Sequence, residues 1–192
     1  TDMKEHPSNL STEEILVRSS NVGSVILAQK IGEDVFKKFI KNTNLTKVPD
    51  IELEEVGAPH EIKWNKCKIE TVSFGHGITT TPLQATTLYA SLTNGGNLVT
   101  PSLIKERNKI ETKKIISNET SKEISSILRQ VVSSENGTAS LADINGYNVG
   151  GKTGTSENYQ NKKNNMNTFI SAFPMSDPKY VFLVMLENPE PA

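Results

Sequence analysis

The clearest pattern of apolar residues in this chain has the spacing of an amphipathic helix. Its members recur at positions i, i+3, i+4, i+7 and i+8, and they are Ile124, Ile127, Leu128, Val131 and Val132. Residues at these intervals lie on one face of a helix, and the residues between them here are polar. The sequence therefore predicts an amphipathic helix over 118–134.

Four further helices are predicted from shorter apolar patterns and from end signals. Ser11 and Glu14 have the spacing of a capping box and begin the first helix. Thr81-Pro82 begins another, because proline suits the first helical position, where an N–H would be unpaired. The four predicted ranges run from 12 to about 19, from 22 to 31 with Gly32 as the stop, from 33 to 42, and from 81 to Gly95-Gly96.

The last third of the chain has a different pattern, in which short apolar runs alternate with turn residues. The predicted strands are 147–152, 168–175 and 180–187. Ser176-Asp177-Pro178-Lys179 is a turn signal between the last two strands. The segment 45–68 is expected to be loop with short extended pieces, and 97–104 is expected to be extended. Because helices come first and an antiparallel sheet last, we expect an α/β fold of the α+β type, with helices packed on the sheet.

Composition narrows the classes of function. The chain has 192 residues, which is the size of one domain or a large piece of one, and 35% of them are hydrophobic. Its net charge of −1 provides no basic surplus for nucleic acid, and its longest apolar run, 180–186, is too short to span a bilayer. One cysteine excludes an internal disulfide, and three scattered histidines predict no metal site. The chain begins with Thr1 rather than Met, and we expect it to be a piece of a longer protein.

Two short motifs carry the candidate chemistry. Ser19-Ser20-Asn21 lies at the junction of the first two predicted helices, and Lys152-Thr153-Gly154-Thr155 lies at the end of the first predicted strand. Alone, the first motif is typical of a helix N-cap and the second of a surface turn. In this order they match two of the three motifs of penicillin-interacting serine enzymes, which are S-x-x-K, S-x-N and K-T-G.

Further segments extend the match from about residue 10 to residue 189. In chain order they are Ser19-Ser20-Asn21-Val22-Gly23, Ser73-Phe74-Gly75-His76-Gly77-Ile78, Thr81-Pro82-Leu83-Gln84, Asn94-Gly95-Gly96 and Gly150-Gly151-Lys152-Thr153-Gly154-Thr155. With these segments the chain resembles class B penicillin-binding proteins, most of all the division-type synthases. The resemblance implies a β-lactamase/transpeptidase-like fold and a serine-type D,D-transpeptidase of peptidoglycan synthesis.

The resemblance also implies substrates, partners and surroundings. The longer protein would cross-link peptidoglycan stem peptides, would be acylated by β-lactams, and would act with division or elongation proteins. It would be anchored in the cytoplasmic membrane with this domain in the periplasm or outside the cell, whereas residues 1–192 alone would be soluble. No metal, organic cofactor or nucleic acid is implied.

Catalytic roles follow from the resemblance for three residues. Ser19 would relay a proton towards the departing D-alanine nitrogen, because a leaving amine needs a proton. Asn21 would hold the substrate amide and orient the catalytic lysine. Lys152 would supply positive charge near Ser19 and near the substrate carboxylate. The reaction implied is acyl transfer through a serine ester.

Three residues of the K-T-G-T motif are assigned to substrate binding in the same way. Thr153 and Thr155 would offer their hydroxyls to the substrate carboxylate, and the backbone N–H of Thr155 would form half of an oxyanion hole. Gly154 would let the substrate lie against the strand edge, where a side chain would intrude.

The nucleophile motif S-x-x-K is not found before Ser19, where the family places it. Ser102-Leu103-Ile104-Lys105 lies in a predicted extended stretch, in which positions i and i+3 face opposite sides. Ser176-Asp177-Pro178-Lys179 lies in a turn, and its proline disfavours the helix that the motif needs. We therefore expect residues 1–192 to be a partial transpeptidase domain that cannot form an acyl-enzyme alone, and that lacks by resemblance two N-terminal strands and a C-terminal helix.

Two segments near the C-terminus carry further expectations. By resemblance, 180–187 lies beside a strand that this chain lacks, so its unpaired backbone groups would promote self-association through that edge. The polar segment 156–167 is expected to be a solvated loop beside the site, and the simplest interpretation is a connection between two strands.

Three alternative interpretations belong to other classes. Residues 146–153 fit the phosphate-loop pattern G-x-x-x-x-G-K-[ST], although such a loop needs a helix after Lys-Thr, and Gly154 follows at once. A β-lactamase or penicillin sensor of the same fold is a second alternative, but the deacylating Glu of class A β-lactamases is not recognisable here. The third is a non-enzymatic, partner-binding remnant of a synthase, because an enzyme without its nucleophile can only bind.

Overall fold

Helices precede a three-stranded antiparallel sheet in the described part of the chain. The structure is a computed structural model that describes residues 2, 5–65, 67–105, 112–157 and 165–189. The helices are α1 (Thr12–Val17), α2 (Asn21–Ile31), α3 (Glu33–Asn42), α4 (Lys68–Val72), α5 (Pro82–Thr93) and α6 (Asn118–Ser133), with a short 3-10 helix at Ser140–Ala142. The strands are β1 (Gly150–Glu157), β2 (Asn165–Phe173) and β3 (Tyr180–Glu187), in the order β1-β2-β3. The predicted fold class is confirmed.

The five predicted helices are confirmed, and their ends have the expected caps. The Ser11 hydroxyl accepts from the Glu14 N–H at 3.1 Å, and the Glu14 carboxylate accepts from the Ser11 N–H at 2.9 Å, so the capping box is complete. Thr81 caps α5, and Pro82 is its first residue. Helix α4 is not among the predicted elements. The segment predicted as loop and short extended pieces ends at its first residue, Lys68, and no element is predicted for the rest of the helix.

The first strand differs from its prediction at both ends. It begins at Gly150 instead of 147, because Asn148 has a φ of 50°, which is incompatible with an extended strand. It continues to Glu157 because β2 pairs with it throughout, from Gly150 opposite Ala172 to Glu157 opposite Asn165. Its polar residues thus form a strand without an apolar pattern.

Two other expectations need correction. The segment 156–167 connects two antiparallel strands, as expected, but its ends belong to the strands β1 and β2 themselves, and residues 158–164 lie outside the described residues. The stretch 97–104 contains no strand where the structure describes it, only an isolated antiparallel bridge between Asn97 and Lys114.

The core lies between α6 and its neighbours, and it determines where the functional motifs meet. Two buried clusters contain Val17, Val131, Val132 and Ala139 in the first and Leu128, Ala172 and Met175 in the second. The first cluster joins the end of α1 to α6, and the second joins α6 to β2. Gly150 lets β1 approach α6 closely, because a Cβ there would lie 3.0 Å from the backbone nitrogen of Arg129.

Candidate active site

The turn between α1 and α2 presents Ser19. Helix α1 ends in a Schellman motif, in which the Ser20 N–H donates to the Ile15 carbonyl at 3.0 Å and the Ser19 N–H donates to the Leu16 carbonyl at 3.3 Å. Ser19 takes the left-handed position of this motif, with a φ of 62°, where glycine is usual. A side chain in this conformation costs about 1–2 kcal/mol, so the surrounding structure holds Ser19 under strain.

Buried Ser20 anchors this turn to α2. Its Oγ accepts from the Gly23 N–H at 2.9 Å and donates to Asp2 Oδ2 at 2.9 Å. Asp2 Oδ1 accepts from the Val22 N–H at 3.0 Å, so the carboxylate lies at the N-terminus of α2, where negative charge is favourable. Burial raises the pKa of Asp2, but the hydrogen bonds from Val22 and Ser20 outweigh it and hold the pKa below its ordinary value.

Strand β1 brings Lys152 to the same turn. Lys152 Nζ donates to Ser19 Oγ, and it donates to the Thr153 carbonyl at 3.0 Å. Burial lowers the pKa of Lys152 to about 8, because desolvation disfavours the ammonium form. An amine with this pKa gains and loses its proton near neutral pH, so it can exchange a proton with a hydroxyl that it contacts.

The remaining residues of the K-T-G-T motif lie along β1 beyond Lys152. The Thr153 hydroxyl lies 2.8 Å from the hydroxyl of Thr138, and Thr155 is exposed. A Cβ at Gly154 would have no heavy atom within 4 Å, so this part of the strand is open to a ligand.

Residues from both motifs therefore come together although Ser19 and Lys152 are 133 positions apart. Asn21 is the first residue of α2 and follows Ser19 by two positions, and its side chain is half-buried. Sequence reasoning missed Asp2 and Thr138, which contact these motifs. Asn136-Gly137 directly before Thr138 is a dipeptide typical of turns, and such a signal marks a loop without pointing to a functional residue.

Comparison with known families decides the assignment. The family model described as the penicillin-binding protein transpeptidase domain matches residues 1–192. The chain belongs to this transpeptidase family. The resemblance to class B penicillin-binding proteins is thereby confirmed, and relatives and solved structures agree with it.

Individual relatives of this transpeptidase chain are similar over nearly its whole length. The probable peptidoglycan D,D-transpeptidase FtsI of Caulobacter vibrioides is 32% identical over 195 residues, which cover 94% of this chain and 33% of that protein. Stage V sporulation protein D of Bacillus subtilis is 33% identical over 197 residues, which cover 92% of this chain and 30% of that protein. The chain thus spans about a third of the length of these curated relatives.

A solved structure has the same fold. The crystal structure of penicillin-binding protein 3 from Mycobacterium tuberculosis, complexed with aztreonam, superposes with a TM-score of 0.91 at 26% identity. The match covers 98% of this chain and 48% of that one.

The phosphate-loop interpretation is wrong for this transpeptidase chain. Lys152 and Thr153 lie inside β1, and the strand continues to Glu157. A phosphate loop instead places these two residue types at the start of a helix, whose N–H groups bind the phosphate.

The two S-x-x-K segments within the chain are not helical either. The Ser102 hydroxyl donates to Glu52 Oε1 at 2.8 Å and accepts from the Ile104 N–H at 3.0 Å, which places it in a tight bend. Lys179 forms an ion pair with Asp177 at 2.5 Å in the turn after β2.

Across the described ranges, no helix combines the length and apolar character needed to cross a membrane.

Proposed function

We propose that residues 1–192 are the C-terminal part of the transpeptidase domain of a peptidoglycan D,D-transpeptidase. The longer protein would cross-link stem peptides through a serine acyl-enzyme and would be acylated by β-lactams. The observation that carries this proposal is the hydrogen bond from Lys152 Nζ to Ser19 Oγ, which joins the S-x-N and K-T-G motifs in one site. The names of the relatives, two of which are peptidoglycan D,D-transpeptidases of the FtsI type, support the same activity.

In this mechanism Ser19 and Lys152 move the proton of the leaving group. The lowered pKa of Lys152, about 8, lets the amine return a proton through Ser19 Oγ to the departing D-alanine nitrogen. Its positive form also attracts the substrate carboxylate. Asn21, at the first position of α2, binds the substrate amide and orients the lysine of the nucleophile motif.

The open surface of β1 binds the substrate. Thr153 and Thr155 donate their hydroxyl protons to the terminal carboxylate, and the Thr155 N–H supplies one donor of the oxyanion hole. The space above Gly154 admits the substrate backbone against the strand. In this acyl transfer, the chain provides the groups that bind the substrate and the groups that transfer the proton.

The attacking hydroxyl comes from a Ser-x-x-Lys helix elsewhere in the longer protein. The isolated chain therefore binds at most and is not acylated. The longer protein is anchored in the cytoplasmic membrane with this domain outside, and it works with the proteins of division or elongation.

Covalent labelling by a fluorescent penicillin tests the proposed function. We expect stoichiometric labelling of the longer protein at the serine of its Ser-x-x-Lys motif, and no labelling of residues 1–192 alone. Lys152→Ala should lower the acylation rate about a thousandfold, because a positioned acid–base group typically contributes this much.

Lys179→Ala is the matched control, because Lys179 is an exposed lysine whose ion pair lies in the turn between β2 and β3. It should label like the unmodified protein. Equal loss in both variants, or labelling of the isolated chain, would contradict the assignment. Rapid turnover of a chromogenic cephalosporin by the longer protein would favour a β-lactamase instead.

A further inference from the structure

A hydroxyl outside the family motifs contacts the carboxylate-binding part of the site. Thr138 Oγ1 lies 2.8 Å from Thr153 Oγ1, and either atom is able to donate in the free protein. The two residues are 15 positions apart, and Thr138 lies in the loop between α6 and the 3-10 helix. The contact is therefore a product of the tertiary fold.

The backbone on both sides of Thr138 is attached to the end of α6. The Gly137 N–H donates to the Ser134 carbonyl at 3.0 Å, and the Ala139 N–H donates to the Val131 carbonyl at 3.1 Å. Ala139 is 7% exposed and belongs to the cluster that also contains Val131. Thr138 therefore has little freedom to move away from β1.

Gly137 makes this attachment possible. A Cβ at this position would lie 2.9 Å from the Gln130 carbonyl oxygen, closer than real Cβ contacts allow. The loop thus passes directly over the last carbonyls of α6, and this close packing holds Thr138 next to Thr153.

Once a substrate is bound, the number of protons on the two hydroxyls determines which threonine donates the hydrogen bond. A threonine hydroxyl has one proton and can accept further hydrogen bonds, whereas a carboxylate only accepts. If Thr153 donates its proton to the substrate carboxylate, its bond with Thr138 persists only with Thr138 as the donor. The chain of donors then runs from Thr138 to Thr153 to the carboxylate.

Resting on the proposed function, we propose that Thr138 is a positioning residue for carboxylate recognition. It orients the Thr153 hydroxyl so that its proton points to the ligand, and it polarises that hydroxyl, because successive hydrogen bonds strengthen one another. Thr138 itself does not touch the ligand carboxylate in this arrangement. Its effect therefore requires both Thr153 and a ligand that carries the carboxylate.

Acylation of the longer protein by benzylpenicillin and by its methyl ester separates this role from a structural one. Thr138→Val keeps the shape and removes the hydroxyl, and Thr138→Ser keeps the hydroxyl. We expect Thr138→Val to lower the second-order acylation rate for benzylpenicillin about fivefold, the size of one lost hydrogen bond. The methyl ester, which has no carboxylate charge, should react with all three proteins at rates within a factor of about two.

The controls make each outcome decisive. Thr138→Ser should restore the benzylpenicillin rate, and Thr138→Val should have no further effect when Thr153 is already valine. Thr86→Val removes a hydroxyl that bonds within α5, and it should react like the unmodified protein. Equal slowing of acid and ester by Thr138→Val, or no slowing of either, would overturn the role of Thr138 alone. An unmodified protein that takes no penicillin at all would overturn the proposed function together with it.

Discussion

The Ser19 turn and strand β3 differ in how many of their contacts come from within this chain. At the turn, two Schellman hydrogen bonds, the Ser20 cap and the Asp2 carboxylate hold a strained residue in place. Val17, two residues earlier, is buried against α6. In β3, by contrast, Tyr180, Phe182, Val184 and Leu186 are between 48% and 61% exposed.

The difference shows which of the two regions is held in place by contacts within this chain. The partners of the turn are nearby residues of α1 and α2 together with Asp2, so its geometry is determined within the chain. Among the described residues β3 pairs with β2 alone, which leaves the hydrogen-bonding groups of its other edge for a partner. The Ser19 turn is thus held by contacts within the chain, while β3 has an exposed apolar face and an edge with which no described strand pairs.

Among the tests of this comparison, replacing Ser19 gives the largest effect, and two different substitutions separate its role in function from its backbone strain. Ser19→Ala and Ser19→Gly both remove the hydroxyl that Lys152 contacts, and each should lower penicillin acylation of the longer protein about a hundredfold. Glycine also adopts the left-handed conformation without the steric cost that a Cβ brings. The free energy of unfolding should therefore be about 1 kcal/mol higher for Ser19→Gly than for Ser19→Ala. Labelling rates and urea denaturation measure the two effects.

The comparison between the two variants is its own control. If Ser19→Gly and Ser19→Ala were equally stable, the turn would not be strained. If either kept the full labelling rate, the Ser19 hydroxyl would have no part in acylation.

An intermediate effect is expected at the β3 edge. The chain should self-associate, and Val184→Lys should weaken the association about tenfold or more, because it removes an exposed apolar side chain that association would bury and adds charge to an edge strand. Sedimentation velocity over a range of concentrations measures this equilibrium.

Leu141→Lys is the matched control for the edge. Leu141 is fully exposed in the 3-10 helix, so this variant adds the same charge elsewhere on the surface. It should self-associate like the unmodified chain. A chain that stays monomeric at every concentration would show that the edge is not used.

The smallest effect concerns the charge of Lys152. Its pKa is about 8 in the folded chain and returns towards 10.5 on unfolding, so between these values the unfolded state binds the additional proton. The free energy of unfolding should therefore rise with pH across this window in the unmodified chain, relative to Lys152→Met. Denaturant titrations at several pH values test this, and parallel curves for the two proteins would contradict a buried amine.

Much of the fold was predictable because its signals are local. The apolar spacing of α6, the capping box of α1 and the proline of α5 each depend on residues a few positions apart. Strand β1 was misplaced because six of its eight residues are glycine or small and polar, and no apolar alternation marks its course. It is a strand because β2 pairs with it.

The site was predictable as a set of motifs and not as an arrangement. Ser19 and Lys152 could be named because their neighbours in the chain match family motifs. Thr138 has no such neighbours, and its proximity to Thr153 depends on how the loop after α6 packs. Asp2 was missed for the same reason, since its hydrogen bonds join it to residues at least 18 positions away.

The sequence by itself determined five of the described α-helices, the order of the layers and the chemical groups available, because these follow from residue type and short-range spacing. Only the tertiary structure decided that Lys152 donates to Ser19, that burial lowers the pKa of Lys152, and that the Thr138 hydroxyl contacts that of Thr153. These contacts join distant parts of the chain, and they form when α6 packs between α1 and the sheet. No short-range pattern specifies that packing.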